Sequence, residues 1–102
     1  MGTWFQFNCS NCDYTASVSG GRDVGMLAVV RTMTCSDCAE IGDVLIGMSG
    51  QDGPTGNPEI DKDFGKCPGC DGENVRPWPR SHPCPKCGSK MTKGDGPTAL
   101  WD

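Results

Sequence analysis

Histidine and tyrosine each occur once in these 102 residues, and no apolar run approaches the roughly 20 residues a membrane span requires. The single histidine, His82, leaves Ser-His-Asp or Cys-His chemistry one candidate. It stands between Ser81 and Pro83 in a proline-rich stretch and is expected to be an exposed loop residue. Positive charge is also scarce: 9 Lys and Arg face 13 Asp and Glu, for a formal net charge of −4. Nucleic-acid binders are typically basic, because phosphate neutralisation supplies most of their affinity. The first residues, Met1 to Asn8, have neither the basic start nor the apolar run of a signal peptide. Gln6 stands where a myristoylation motif needs Ser or Thr. A reduced, cytoplasmic setting without a membrane partner is the expectation. There is no phosphate-cradling glycine loop, since Ser19-Gly20-Gly21 reads as a turn, and no βαβ pattern to carry thioredoxin-type chemistry. Asp61 and Asp63 read as solvating charges in a linker. Together these absences predict a non-enzyme.

Cysteine, by contrast, is abundant and ordered. All eight cysteines fall in C-x-x-C pairs: Cys9 with Cys12, Cys35 with Cys38, Cys67 with Cys70, and Cys84 with Cys87. Each pair puts two sulfurs on one tight turn, at about the separation of two corners of a metal tetrahedron. The inventory is that of two four-cysteine sites, with Zn²⁺ as the expected occupant, two per chain. Four disulfides are the weaker reading, because two cysteines on one turn make poor partners for each other. Glycine (15) and proline (8) make up much of the rest. A chain this short of core residues depends on metal to stay folded, and structural zinc supplies on the order of 10 kcal/mol per site. A Zn²⁺ with four thiolates carries a net −2, so two sites would take the formal −4 to about −8.

The gaps between pairs predict the wiring. Twenty-two residues separate Cys12 from Cys35, thirteen separate Cys70 from Cys84, and twenty-eight separate Cys38 from Cys67. Within the longest gap, Ser49 to Gly65 is rich in Gly, Pro and Asp and reads as a flexible linker. Tandem wiring follows: Cys9, Cys12, Cys35 and Cys38 on one metal, and Cys67, Cys70, Cys84 and Cys87 on the other. Cross-bracing, with the first pair joined to the third and the second to the fourth, is the alternative. The predicted organisation is a small, mostly β protein with a first unit over 1–48, a linker over 49–66 and a second unit with its tail over 67–102.

Short strands are expected at Trp4–Phe7, Tyr14–Val18, Met26–Thr34, Asp43–Ile46, Asn74–Arg76 and Lys90–Lys93. Met26, Val29, Val30 and Met33 also fit one face of a helix, although Gly25 and the β-branched run favour strand. Gly94 to Trp101 is expected to be a loop-like tail, with Leu100 and Trp101 as a docking end.

Lys66-Cys-Pro-Gly-Cys70 and Pro83-Cys-Pro-Lys-Cys-Gly-Ser-Lys-Met91 resemble the knuckles of the zinc-ribbon superfamily. That resemblance implies Cys67, Cys70, Cys84 and Cys87 as ligands of one metal, and Gly88 matches the glycine that commonly follows a knuckle. The first half is similar in cysteine spacing only, with Asp13 and Ala39 where glycine is usual. Zinc ribbons serve in many unrelated processes, so the resemblance implies two tandem ribbons and no particular activity. Cys84-Pro-Lys-Cys-Gly88 also resembles the second knuckle of rubredoxins, which implies an iron electron carrier as a lesser alternative. Cys67-Pro-Gly-Cys-Asp-Gly72 resembles one repeat of the DnaJ cysteine-rich domain, but the other pairs lack its glycines.

The leading functional expectation is a zinc-finger-like, non-catalytic module that recognises a protein partner through exposed aromatic and acidic surface. Residues 1–65 carry three basic groups against nine acidic ones, whereas residues 66–102 carry six against four. The alternative is therefore a nucleic-acid binder using Arg76, Trp78, Arg80, Lys86 and Lys90. Trp78, between two prolines, is read first as a core residue of the second unit and second as a stacking platform. Of Trp4, Phe5 and Phe7, some must face outward, because strand neighbours point opposite ways.

Overall fold

The computed structural model describes residues 2–101. Alternating and β-branched residues give strands β1 (Gly2–Cys9), β2 (Thr15–Val18), β3 (Arg22–Val24), β4 (Ala28–Cys35) and β5 (Glu40–Met48). A two-residue β6 (Gln51–Asp52), one helical turn α1 (Pro58–Asp61), β7 (Val75–Pro77) and a long β8 (Met91–Trp101) complete the order. No helix among the described residues is long and apolar enough to cross a membrane. Met26–Thr34 is strand from Ala28 onward, as the β-branched run predicts.

Two antiparallel sheets form, ordered β2-β1-β8 and β3-β4-β5-β6, with β7 also paired to β4. The first sheet joins the two ends of the chain: Gly2 lies opposite Trp101 and Cys9 opposite Met91. The second brings β7 from the latter half onto β4, with Cys35 opposite Val75 and Met33 opposite Pro77. The halves are interleaved, and the tandem division at 49–66 is corrected. That segment folds back rather than linking: Gly53 donates its N–H to the Ile46 carbonyl (2.8 Å) and Gly65 donates to Leu45 (2.9 Å). Asn57 caps α1 by accepting from the Glu59 N–H (3.0 Å). The Asp61 carboxylate accepts from the N–H and hydroxyl of Thr55, both at 2.8 Å, and from the Gly56 N–H at 3.0 Å.

The tail expectation is corrected as well. Met91–Trp101 is an eleven-residue strand on the outer edge of its sheet. Gly94, Gly96 and Pro97 suggest a loop, yet an edge strand tolerates proline. Register shifts at Trp4/Phe5 and Phe5/Phe7 absorb the extra residues of β8.

The main core is Phe7, Val18, Ile41, Trp78 and Met91 packed with Cys9 and Cys84. Burying Phe7 (1% exposed) contributes about 2–3 kcal/mol. Phe7 meets Trp78 edge-on at 5.0 Å between ring centroids, within the preferred range for aromatic pairs. Trp78 is buried, as expected of a core residue, and its indole N–H donates to the Pro83 carbonyl at 2.8 Å. His82 is not the exposed loop residue expected. It is half-buried and stacked on Trp78, with centroids 4.3 Å apart and planes 16° from parallel. Burial holds its imidazole below the ordinary histidine range.

A polar network ties the sheets together. The Asp43 carboxylate on β5 accepts from the Thr32 hydroxyl (2.6 Å), the Ser19 N–H (3.0 Å) and hydroxyl (2.8 Å), and the Trp4 indole N–H (3.0 Å). Asp23 on β3 adds a second link by accepting from the Thr3 N–H at 2.7 Å. Nothing in the sequence singles these residues out, apart from a threonine inside Val-Val-Arg-Thr-Met.

Candidate metal centres

The four C-x-x-C turns share one backbone design. The carbonyl of each first cysteine accepts the N–H four residues on: Asp13 to Cys9 (3.2 Å), Ala39 to Cys35 (2.9 Å), Asp71 to Cys67 (2.8 Å) and Gly88 to Cys84 (2.8 Å). The residue that donates has positive φ each time: 62° at Asp13, 53° at Ala39, 59° at Asp71 and 82° at Gly88. Glycine adopts this conformation freely, and aspartate tolerates it. Alanine does not, so Ala39 carries local strain. Replacing the usual glycine at positions 13 and 39 therefore leaves the knuckle geometry intact. Backbone N–H groups also point at sulfur, as Gly69 does at Cys67 and Lys86 at Cys84, each at 3.4 Å.

The knuckles assemble by nesting. Cys9, Cys12, Cys84 and Cys87 form one cluster, and Cys35, Cys38, Cys67 and Cys70 form the other. All eight predicted ligands are brought together, but the predicted tandem pairing is corrected, and cross-bracing does not describe the arrangement either. The first pair joins the fourth because β1 and β8 run side by side, which sets Cys9 beside Met91 and hence beside the knuckle just before it. The second joins the third because the 49–66 segment folds back onto β5 and β7 then docks on β4. Gap length alone carries no record of either strand pairing.

The sulfur geometry suits a tetrahedral ion. Cys9 and Cys87 are 3.5 Å apart, as are Cys12 and Cys84, and Cys9 and Cys12 are 3.6 Å apart. In the inner cluster Cys35 and Cys70 are 3.6 Å apart, and Cys38 and Cys67 are 3.7 Å apart. A tetrahedron with Zn–S bonds of about 2.3 Å has edges of about 3.8 Å. A disulfide needs about 2.05 Å, and every cysteine is free. In each knuckle the first cysteine is buried and the second is more exposed. The ion would thus be anchored from the core side and closed from the surface side.

Electrostatics fit a cation as well. The Asn11 side chain and then the Ser89 N–H lower the Cys87 thiol to about 6. The Cys38 N–H leads in lowering Cys35 to about 7. Cys38 is pushed up to about 12 by burial and by the sulfurs of Cys67 and Cys35. At Cys12 the Tyr14 N–H favours the thiolate, but hydrogen bonds with neighbouring thiols and burial outweigh it and raise the group to about 12. Each cluster therefore holds one ready thiolate beside reluctant thiols, Cys12 in the outer cluster and Cys38 and Cys70 in the inner one, because four negative sulfurs cannot share so small a space unaided. A divalent cation removes that obstacle.

Lys86 links the knuckles of the two centres. The Lys86 ammonium, on the last knuckle, donates to the Cys38 carbonyl at 3.3 Å. Pro85 lines a cleft with Cys35, Ser36 and Ala39. Of the proposed nucleic-acid contacts, Arg76, Arg80, Lys86 and Lys90 are exposed, whereas the buried Trp78 ring cannot stack on a base. Comparison of the chain with protein-family models, curated proteins and solved structures gives no match.

Proposed function

We propose that this chain is a non-catalytic interaction module held together by two structural Zn²⁺ ions. The observation that carries the reading is the pair of complete four-sulfur sets spaced like tetrahedron edges. A catalytic zinc keeps a position for water or substrate, and four protein sulfurs fill all four positions. Zinc is favoured over iron because closed four-thiolate sites serving structure are its commonest use, and because the fold needs metal more than it needs a redox centre.

A protein partner is favoured over nucleic acid on two grounds. The holo-protein would carry about −8, from a formal −4 and a net −2 per site. The indole of Trp78 is also committed to the core and to the Pro83 carbonyl. Exposed apolar side chains remain at Met26 (73%), Leu27 (60%) and Leu100 (61%). Native mass spectrometry with an optical spectrum tests the metal: two zinc ions and a colourless protein are expected, and a red iron spectrum contradicts the reading. Salt titration against single- and double-stranded oligonucleotides tests the partner class. Micromolar binding at physiological salt that falls steeply as salt rises, and is lost in an Arg76→Glu, Arg80→Glu variant, would favour nucleic acid.

A further inference from the structure

Strand β2 is the outer member of its sheet, so one side of its backbone has no strand partner. Phe7 pairs with Ala16 and Phe5 with Val18, and just beyond them the Cys9 N–H bonds to the Tyr14 carbonyl. In an antiparallel ladder that parity turns Tyr14, Ala16 and Val18 towards β1, and Thr15 and Ser17 away from it. The next residue on the outward side, Ser19, gives its N–H to the Asp43 carboxylate. The main chains of Thr15 and Ser17 have no such partner among the described residues. Thr15 and Ser17 are exposed, and an open strand edge of this kind is a template for pairing with an added strand.

Beside this edge is a pit of about 360 Å³, walled by Trp4, Tyr14, Ser17, Glu40, Ile41 and Asp43 among others, and no basic residue lines it. A second hollow of about 240 Å³ shares Asp43 and Pro68 with it and adds Asp63 and Asp71, with Lys66 as its one base. The surroundings are thus acidic, with aromatic walls, and border an open strand.

The geometry points to a docking site for an extended peptide that adds to β2 and drops a lysine or arginine side chain into this pit. The peptide backbone would pair with the outward groups of Thr15 and Ser17, as in recognition by strand addition. Alternate side chains of a strand share a face, so one of them meets the pit while its neighbours point away. A cation is the matching side chain: the Lys86 ammonium already stands 5.8 Å over the Tyr14 ring, the Trp4 face remains for a second cation, and Glu40 and Asp43 supply opposite charge where an acidic peptide would be repelled. This site rests on, and specifies, the protein-interaction reading above.

The test uses the full zinc-loaded chain and ¹⁵N-labelled amide spectra. The probes are acetylated, amidated hexapeptides of sequence Thr-Val-Lys-Val-Thr-Val, with arginine or glutamate replacing lysine, and a backbone N-methylated lysine version. The lysine and arginine peptides should shift the amides of residues 15–18 and 40–43. The glutamate and N-methylated peptides should bind about tenfold more weakly or not at all. Ser17→Pro removes an N–H that β1 does not use, so the spectrum beyond residues 14–19 should persist while binding is lost. Glu40→Lys should weaken the lysine peptide and spare folding. Equal binding of lysine and glutamate peptides overturns the site, as does the absence of shifts at 15–18 with every peptide. Shifts confined to the exposed Met26–Leu27 turn overturn this site but keep the interaction reading. No peptide binding together with salt-sensitive oligonucleotide binding overturns both.

Discussion

Thr32 and Asp43 sit directly opposite one another on β4 and β5, and the Thr32 hydroxyl donates to the Asp43 carboxylate at 2.6 Å. The same hydroxyl oxygen accepts the Gly20 N–H at 2.8 Å, so one 1%-exposed side chain satisfies groups on both sides of the sheet interface. Thr32→Val keeps shape and volume but leaves the Gly20 N–H without its acceptor and Asp43 with one donor fewer. It should destabilise the protein by about 3 kcal/mol. Thr32→Ser retains both hydrogen bonds and should cost about 1 kcal/mol through its lost methyl group. Chemical denaturation of the metal-loaded protein checks both. Equal losses would assign the effect to packing instead.

Ala39 holds φ at 53°, where a Cβ crowds the backbone. Ala39→Gly should stabilise the inner knuckle by about 1 kcal/mol, the relief of left-handed strain less the added freedom of the unfolded chain. Gly88→Ala, at the matching position of the last knuckle (φ 82°), should destabilise by a similar amount. Metal-release midpoints under chelator should move in opposite directions for the two variants. Movement in the same direction would refute a shared knuckle design.

Asp61 is held below the usual carboxylate range, first by the Thr55 N–H and then by the Thr55 hydroxyl and the Gly56 N–H. The folded loop binds the ionised form, so the unfolded chain takes up this proton first as pH falls. The contribution is complete above the unfolded value of about 4 and is lost as pH falls through the lower folded value. Asp61→Asn should weaken amide-exchange protection at Thr55 and Gly56. The gap from wild type should stay constant between pH 8 and 5 and narrow only below about 4. A gap that grows on acidification would contradict this assignment.

The eight candidate ligands are legible in the sequence because C-x-x-C is a local motif, and so is the strand character of Val29 to Thr34. The pairing of the knuckles is not. It depends on β1 meeting β8 and on β4 meeting β7, contacts between residues such as Cys9 and Met91 that are far apart in the chain. Glycines and Pro97 made β8 read as a tail, because composition does not distinguish an edge strand with bulges from a loop. The fold-back at 49–66 was hidden likewise. Its order comes from Asn57, Asp61 and two backbone hydrogen bonds rather than from apolar burial. Trp78 reads as a core residue from the sequence, whereas its stacking partner His82, a lone histidine between Ser81 and Pro83, carries no packing signal.

Nested pairing is what makes the two halves one structure, and it is read most directly from cadmium-substituted protein. Each ¹¹³Cd nucleus couples through sulfur to the β-protons of its own cysteines, so a ¹H–¹¹³Cd correlation spectrum identifies the ligands of each ion. One cadmium should correlate with Cys9, Cys12, Cys84 and Cys87, and the other with Cys35, Cys38, Cys67 and Cys70. A cadmium correlated with Cys9, Cys12, Cys35 and Cys38 would contradict it.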